Sequence, residues 1–159
     1  MDADIDTLDP TINTPAGTPV RQISVFLVNR VGALMSLVKL LQDNSIEVLG
    51  LSVQESTEMT LLRLVVSDPE QAETLFMEKG IAHASSVLTV VQLRPIVGTL
   101  AECLAALLAA ELNIHFSYPL LVRPDDFPLL ALNIEAPDLA AEALNAAGFR
   151  VLMQEDLSR

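Results

Sequence analysis

A single cysteine, Cys103, occurs in the 159 residues. One thiol excludes an intramolecular disulfide, nothing argues for an oxidising compartment, and a cytoplasmic location is the expectation. Aromatic residues make up 4% of the chain, and 9 Lys and Arg stand against 21 Asp and Glu, for a formal charge of −12. Such a body repels a phosphate backbone and lacks both the basic stripe and the stacking rings of nucleic-acid recognition, so no nucleic-acid partner is expected. Long apolar runs are missing too. Arg63, Arg94, Glu102 and Glu111 break the greasiest stretches before the roughly 20 residues that a membrane-spanning helix needs, and no membrane partner is expected. His83 and His115 lie far apart with no Cys or carboxylate at ligand spacing, so neither a metal nor another cofactor is expected. Cys103 falls on the apolar stripe of a helix and reads as core. Glu55, Glu58, Asp125 and Asp126 fall in polar connectors where solvation accounts for them, which leaves no catalytic set and no enzyme.

What is present is apolar: 51% of the residues are hydrophobic, enough to bury a core in one medium or two small domains. Residues 1–19, with four aspartates and no basic residue, read as a disordered acidic tail. A β-rich run over Arg21–Asn29 then enters the turn Asn29-Arg30-Val31-Gly32. Leu34, Leu37, Val38 and Leu41 follow at the spacing of a helix packing on a sheet. Two further strands, Ile46–Gln54 and Thr60–Ser67, flank a short polar connector suited to a hairpin. Ser67-Asp68-Pro69 and Gly80 bracket a second helix, and Ala84–Leu93 is strand material again.

The pattern then restarts. Gly98 answers Gly32 at a displacement of 66, whereas Asn113-Ile114, Pro137 and Gly148 answer Ser45-Ile46, Pro69 and Gly80 at 68, which predicts two extra residues in the first helix of the second copy. Val151–Glu155 is the expected closing strand. The chain thus divides into two βαββαβ modules, residues 20–86 and 87–159, in an α+β, ferredoxin-like architecture with antiparallel sheets. Ala84–Leu93 must serve both modules, as one bent strand or two short ones. The strands are apolar on both faces: Ile23, Val25 and Leu27 against Phe26 and Val28, Leu61 and Val65 against Leu62, Leu64 and Val66, and Val87, Val91 and Leu93 against Leu88 and Val90. Each sheet therefore needs cover beyond its own helices, supplied by the other module or by a homodimer.

The run Ile23-Ser24-Val25-Phe26-Leu27-Val28-Asn29-Arg30-Val31-Gly32-Ala33-Leu34, with Leu61–Pro69 and Asn113–Tyr118, resembles bacterial tandem ACT-domain proteins. The Asn-Arg-x-Gly-x-Leu turn inside a duplicated βαββαβ pattern is its most specific part. The resemblance implies a non-catalytic regulatory protein that binds an amino acid or similar small molecule between modules. It places the ligand against Asn29, Arg30, Val31, Gly32, Ala33 and Leu34, with Gly50, Leu51 and Ser52 facing it across an interface, and offers Gly98, Thr99 and Leu100 in the second copy. A glycine there admits a ligand to the main chain, and the free N–H groups of the following helix can receive a carboxylate. Val31 and Val97 stand where these proteins commonly carry a proline, and Arg94-Pro95-Ile96 replaces the Asn-Arg pair in the second copy. A homodimer is expected, and the alternative is an interaction subunit with a decayed pocket that docks on a metabolic enzyme, as the small subunit of acetolactate synthase does.

Overall fold

Ile23 and Val25 on one face of the first strand and Val20 and Gln22 on the other are all buried, so strand β1 (Val20–Val28) is central rather than marginal. In this computed structural model, which describes residues 17–158, β1 is hydrogen-bonded along both edges. The acidic tail expected over residues 1–19 falls outside the described residues except for its last three positions. Helix α1 (Ala33–Asp43) follows, burying Leu37 and Leu41. Strands β2 (Val48–Glu55) and β3 (Met59–Val66) form the hairpin. Helix α2 (Pro69–Glu78) starts where the Asp68 carboxylate accepts the Gln71 N–H at 3.0 Å, with Pro69 in the first helical position, a pairing that satisfies one orphan donor and needs no N–H from the proline.

Strand β4 (His83–Gln92) settles how the modules join. It is one continuous strand, paired with β1 from His83 to Leu88 and then with β6 (Leu129–Ile134) from Thr89 to Gln92. Between β4 and β6 come α3 (Leu100–Ala109), β5 (Ile114–Pro119) and a 3₁₀ turn over Pro124–Asp126. Helix α4 (Pro137–Ala146) and the short β7 (Val151–Leu152) complete the second module. The sheet order is β2-β3-β1-β4-β6-β5, with β7 also on β4 and every pair antiparallel. Each half has the ferredoxin-like arrangement that the sequence implies.

The two-sided apolar strands are explained by curvature. The sheet curls until its outermost strands approach, and the Leu121 N–H donates to the Leu49 carbonyl at 2.8 Å. Val20, Leu49, Val65, Leu88, Val90, Tyr118, Leu129 and Leu152 fill the space enclosed. The helices lie outside, one core holding Ile23, Val25, Leu37, Leu41, Leu62, Leu64 and Phe76, the other Val91, Cys103, Leu107, Leu132 and Leu144. The modules thus cover each other. At the rim the cover runs out, and Phe26 and Val28 are exposed. Among the described residues no buried side-chain polar atom lacks a partner, as a low-dielectric interior requires.

Two expectations need correction. The second copy does not carry extra residues in its first helix: α3 has 10 residues and α1 has 11. Both helices end alike, with Ile46 N–H bonded to Leu41 O and Leu112 N–H to Leu107 O, a constant displacement of 66 (112−46). The extra length enters in the connector from β5 to β6, where Leu120–Pro128 replaces the short Ser56–Glu58 turn. The likeness of Asn113-Ile114 to Ser45-Ile46 is therefore out of register with the fold. The closing strand stops at Leu152, because the Met153 N–H is taken by the Asp156 carboxylate at 2.8 Å and the chain turns into a 3₁₀ segment over Gln154–Ser158.

Candidate functional site

The turn after β1 is shaped by main-chain geometry. Gly32 sits at φ 83, left-handed backbone that a residue with a Cβ adopts at a cost, and the Ala33 N–H returns to the Arg30 carbonyl at 3.2 Å. Helix α1 begins there without any side-chain cap and without an acid in its first turn. The N–H groups of Leu34 and Met35 find no acceptor among the described residues, so the positive end of the helix dipole faces open space. Nothing lies within 4 Å of where a Cβ on Gly32 would stand.

This opening is a cleft of about 790 Å³. Asn29, Arg30, Val31, Gly32, Ala33 and Leu34 all line it, together with Leu27, Val28, Met35, Val38, Val53, Glu55 and Thr60. Its walls are mostly aliphatic, its floor carries main-chain donors, and Glu55 places a carboxylate on its rim. Asn29 also holds the site in shape. Its side-chain amide donates to the Ser56 carbonyl at 2.7 Å and its carbonyl oxygen receives the Thr60 hydroxyl, which ties the turn to the β2–β3 hairpin. Glu55, read from sequence as a solvated connector residue, is the last residue of β2, and the pairing of β2 with β3 and of β3 with β1 brings it beside the turn.

Gly50, Leu51 and Ser52 do not reach this cleft within one chain. They sit mid-strand, with Gly50 facing the enclosed core, where its Cα lies under the Leu120 side chain, and Leu51 packed against the outer core of its own module. The cleft draws on Val53 and Glu55 from the far end of the same strand instead.

The equivalent turn of the second module is closed. The Thr99 hydroxyl accepts the Glu102 N–H at 3.3 Å, and the Glu102 carboxylate reaches back to the Gly98 N–H at 3.1 Å, a reciprocal cap that fills the helix end with its own negative charge. Gly98 also abuts the Phe149 ring, so that a Cβ there would stand 3.2 Å from it. Thr99 and Leu100 line a smaller hollow of about 420 Å³ with Arg94, Arg123, Asp126 and Phe127, and Gly98 is not part of it. The Arg94 guanidinium lies 4.8 Å from the Phe127 ring centre and bonds Gln92.

His83 and Cys103 have packing roles. His83 uses Nδ1 to donate to the Ile81 carbonyl at 2.8 Å and tilts against Phe76. Cys103 is buried, and burial raises its thiol pKa, which disfavours the reactive thiolate. No helix among the described residues is long and apolar enough to cross a membrane.

Comparison with known proteins bears on the fold. No curated protein matches the sequence. Among solved structures, protein BT0572 from Bacteroides thetaiotaomicron superposes with a TM-score of 0.81 at 23% identity, over 90% of this chain and 98% of that one. The regulatory subunit of aspartate kinase from Thermus thermophilus, in ligand-free form, gives 0.58 at 14% identity over 82% and 91%. Aspartokinase alpha and beta subunits give 0.54 at 19% identity over 84% and 99%. The family model described as an ACT domain pair matches residues 18–159, the same span over which two βαββαβ modules share strand β4, and the chain therefore belongs to the ACT domain pair family.

Proposed function

We propose that the protein is a non-catalytic regulatory module that binds a free amino acid with an aliphatic side chain in the cleft of its first module. The observation that carries this reading is the contrast between the two turns. Helix α1 is uncapped and opens on an aliphatic cleft, whereas α3 is capped twice by its own residues. Uncapped amides are suited to a carboxylate, Glu55 to an ammonium group, and the walls from Leu27, Leu34, Val38 and Val53 to an apolar side chain. The regulatory role also accords with one similar fold being named a regulatory subunit.

The test is a thermal-shift screen of the intact protein against the common amino acids. A ligand at about 100 times its dissociation constant adds roughly 2.7 kcal/mol to stability. Gly32→Val should abolish that shift, because a β-branched residue at φ 83 costs about 1–2 kcal/mol of backbone strain and fills the mouth of the cleft. A shift that survives this change places the ligand elsewhere. A second reading, a subunit that docks on a metabolic enzyme, is favoured by the exposed Val31 and Met35 beside the turn. Flat melting curves for every amino acid would select it.

A further inference from the structure

The smaller hollow of the second module is built from parts that the first module lacks. The long connector from β5 to β6 contributes Arg123, Asp126, Phe127 and Pro128, which with Leu93, Arg94, Pro95 and Leu100 border about 420 Å³. Arg94 is fixed at its edge. Its Nε and Nη2 both donate to Gln92 Oε1, at 3.3 and 3.0 Å, and its guanidinium lies against the Phe127 ring. Gln92 is 2% exposed, and its own amide nitrogen donates to the Pro124 carbonyl at 3.2 Å. A buried amide thus sets the angle of an exposed cation, and the Nη1 and Nη2 end of the guanidinium stays free for an acceptor with two oxygens. Arg123 brings a second guanidinium, and neither arginine has an ion-pair partner among the described residues. Nearby acids are already engaged: Asp125 pairs with Arg150 at 3.1 Å, and Glu102 accepts the Gly98 N–H. Asp126 alone adds a carboxylate to the lining. Backbone strain marks the same place. Among residues other than glycine at positive φ, Ser45 and Glu111 follow the ends of α1 and α3, whereas Ile96, Asp125 and Asp126 all lie in the two turns that border this hollow. Strain of that kind persists where a ligand site needs it.

We propose that this hollow is a separate ligand site that takes a small organic acid by its carboxylate, independently of the cleft in the first module. Arg94 receives the two carboxylate oxygens end-on, Arg123 supplies the cation that outweighs Asp126, and Leu93, Leu100 and Phe127 cover an apolar body. Main-chain amides take no part, because Glu102 fills the start of α3. The two sites therefore differ in chemistry. In the first cleft the charges of Arg30 and Glu55 cancel, which suits a zwitterion. Here two cations against one acid leave the lining net positive, which suits an anion, and a guest that carries its own ammonium group forfeits that advantage. The chain as a whole is at −12, so a local excess of positive charge is a departure from the rest of the surface and not a sample of it. Both arginines are solvent-exposed, so the attraction is screened and the affinity is low.

Titration of the full chain with isocaproate, followed through backbone amide signals by nuclear magnetic resonance, tests the site. Saturable shifts are expected at Gly98 and from Arg123 to Phe127, with a dissociation constant of about 1 mM. Isocaproamide, of the same shape without the charge, should bind at least about tenfold more weakly. Leucine, the same skeleton with an ammonium group, should also move these signals less. Arg94→Ala and Arg123→Ala should each weaken isocaproate binding at least about fivefold, and Arg94→Lys, which keeps the charge and loses the two-donor end, should resemble Arg94→Ala. Lys79→Ala changes the net charge equally at an exposed position of the first module and should leave binding unaltered. Asp126→Asn should tighten it, whereas a guest held by its ammonium group would bind that variant more weakly. No saturation by about 20 mM, equal binding of the amide or of leucine at these signals, losses in the arginine variants no larger than in Lys79→Ala, or weaker binding to Asp126→Asn would overturn the proposal.

Discussion

Replacing Tyr118 by phenylalanine removes one oxygen atom from the seam between the modules. The Tyr118 hydroxyl donates to Gln22 Oε1 at 2.7 Å, and this bond joins β5 of the second module to β1 of the first across the enclosed core. Gln22 is 1% exposed and its amide nitrogen is already committed to Ser24 at 2.9 Å. Without the phenol its carbonyl oxygen is left buried and unpaired, which costs about 1–3 kcal/mol. The ring itself keeps its place, because phenylalanine can stack on Phe116 as Tyr118 does, at 6.3 Å between centroids and 12° between planes, beneath Arg63. A loss near 2 kcal/mol lowers the melting temperature of a chain this size by about 4–8 °C. Calorimetry and urea titration followed by circular dichroism read it directly. A double-mutant cycle with Gln22→Met separates the hydrogen bond from the packing: once both partners are apolar, most of the loss should be recovered. If Tyr118→Phe changes stability by less than about 0.5 kcal/mol, or if the double variant loses the sum of the singles, the buried bond is not what fastens the modules.

The same phenol sets an alkaline limit. Burial pushes the Tyr118 pKa well above its ordinary value, and the Arg63 charge only partly offsets this. The unfolded chain loses that proton first, near pH 10, so stability is full below that pH and falls as pH rises beyond it; urea midpoints at about pH 8, 10 and 11 should decline in that order, and midpoints that rise would contradict it. Gly50→Ala drives a Cβ into the Leu120 side chain, whose own Cα would be 3.5 Å away, and should cost about 1–3 kcal/mol in a urea titration. Thr99→Ala removes the hydroxyl that caps α3 and should cost about 1 kcal/mol, whereas Ser36→Ala on the outer side of α1, where the side chain caps nothing, should be nearly neutral by the same measurement.

Much of this architecture is written locally. Asp68 and Pro69 announce a helix start, Gly32 and Gly80 adopt positive φ where the chain must turn back, and strands apolar on both faces foretell a second layer of cover. What supplies that cover is a long-range fact. The curl that brings Leu121 to Leu49 depends on twist accumulated over the whole sheet, which no window of sequence contains. The candidate site divides in the same way. Its floor is one contiguous run, Asn29 to Leu34, legible because the turn chemistry is local. Glu55 arrives through strand pairing, and Gly50, Leu51 and Ser52 do not line the cleft within one chain. The second turn is closed in part by a local cap, Thr99 and Glu102, that lies within four positions of Gly98, and in part by Phe149, 51 positions from Gly98 (149−98), so the two glycines look alike in sequence while only one of them borders open space. The repeat offset misleads for a comparable reason. A helix end is fixed by which carbonyl the next amide can reach, and Leu112 meets Leu107 as Ile46 meets Leu41 whatever the side chains beside them.

Strand β4 belongs to both halves, and that economy has a consequence for how the protein can be divided. A fragment ended ahead of His83 would strip β1 of a neighbour, and one begun after Gln92 would leave β6 and β7 with nothing to lie against. Two free-standing domains cannot be obtained by cutting, since seven strands do the work of eight. Any displacement of that shared backbone at one end is inherited by the other, with no hinge between them to absorb it.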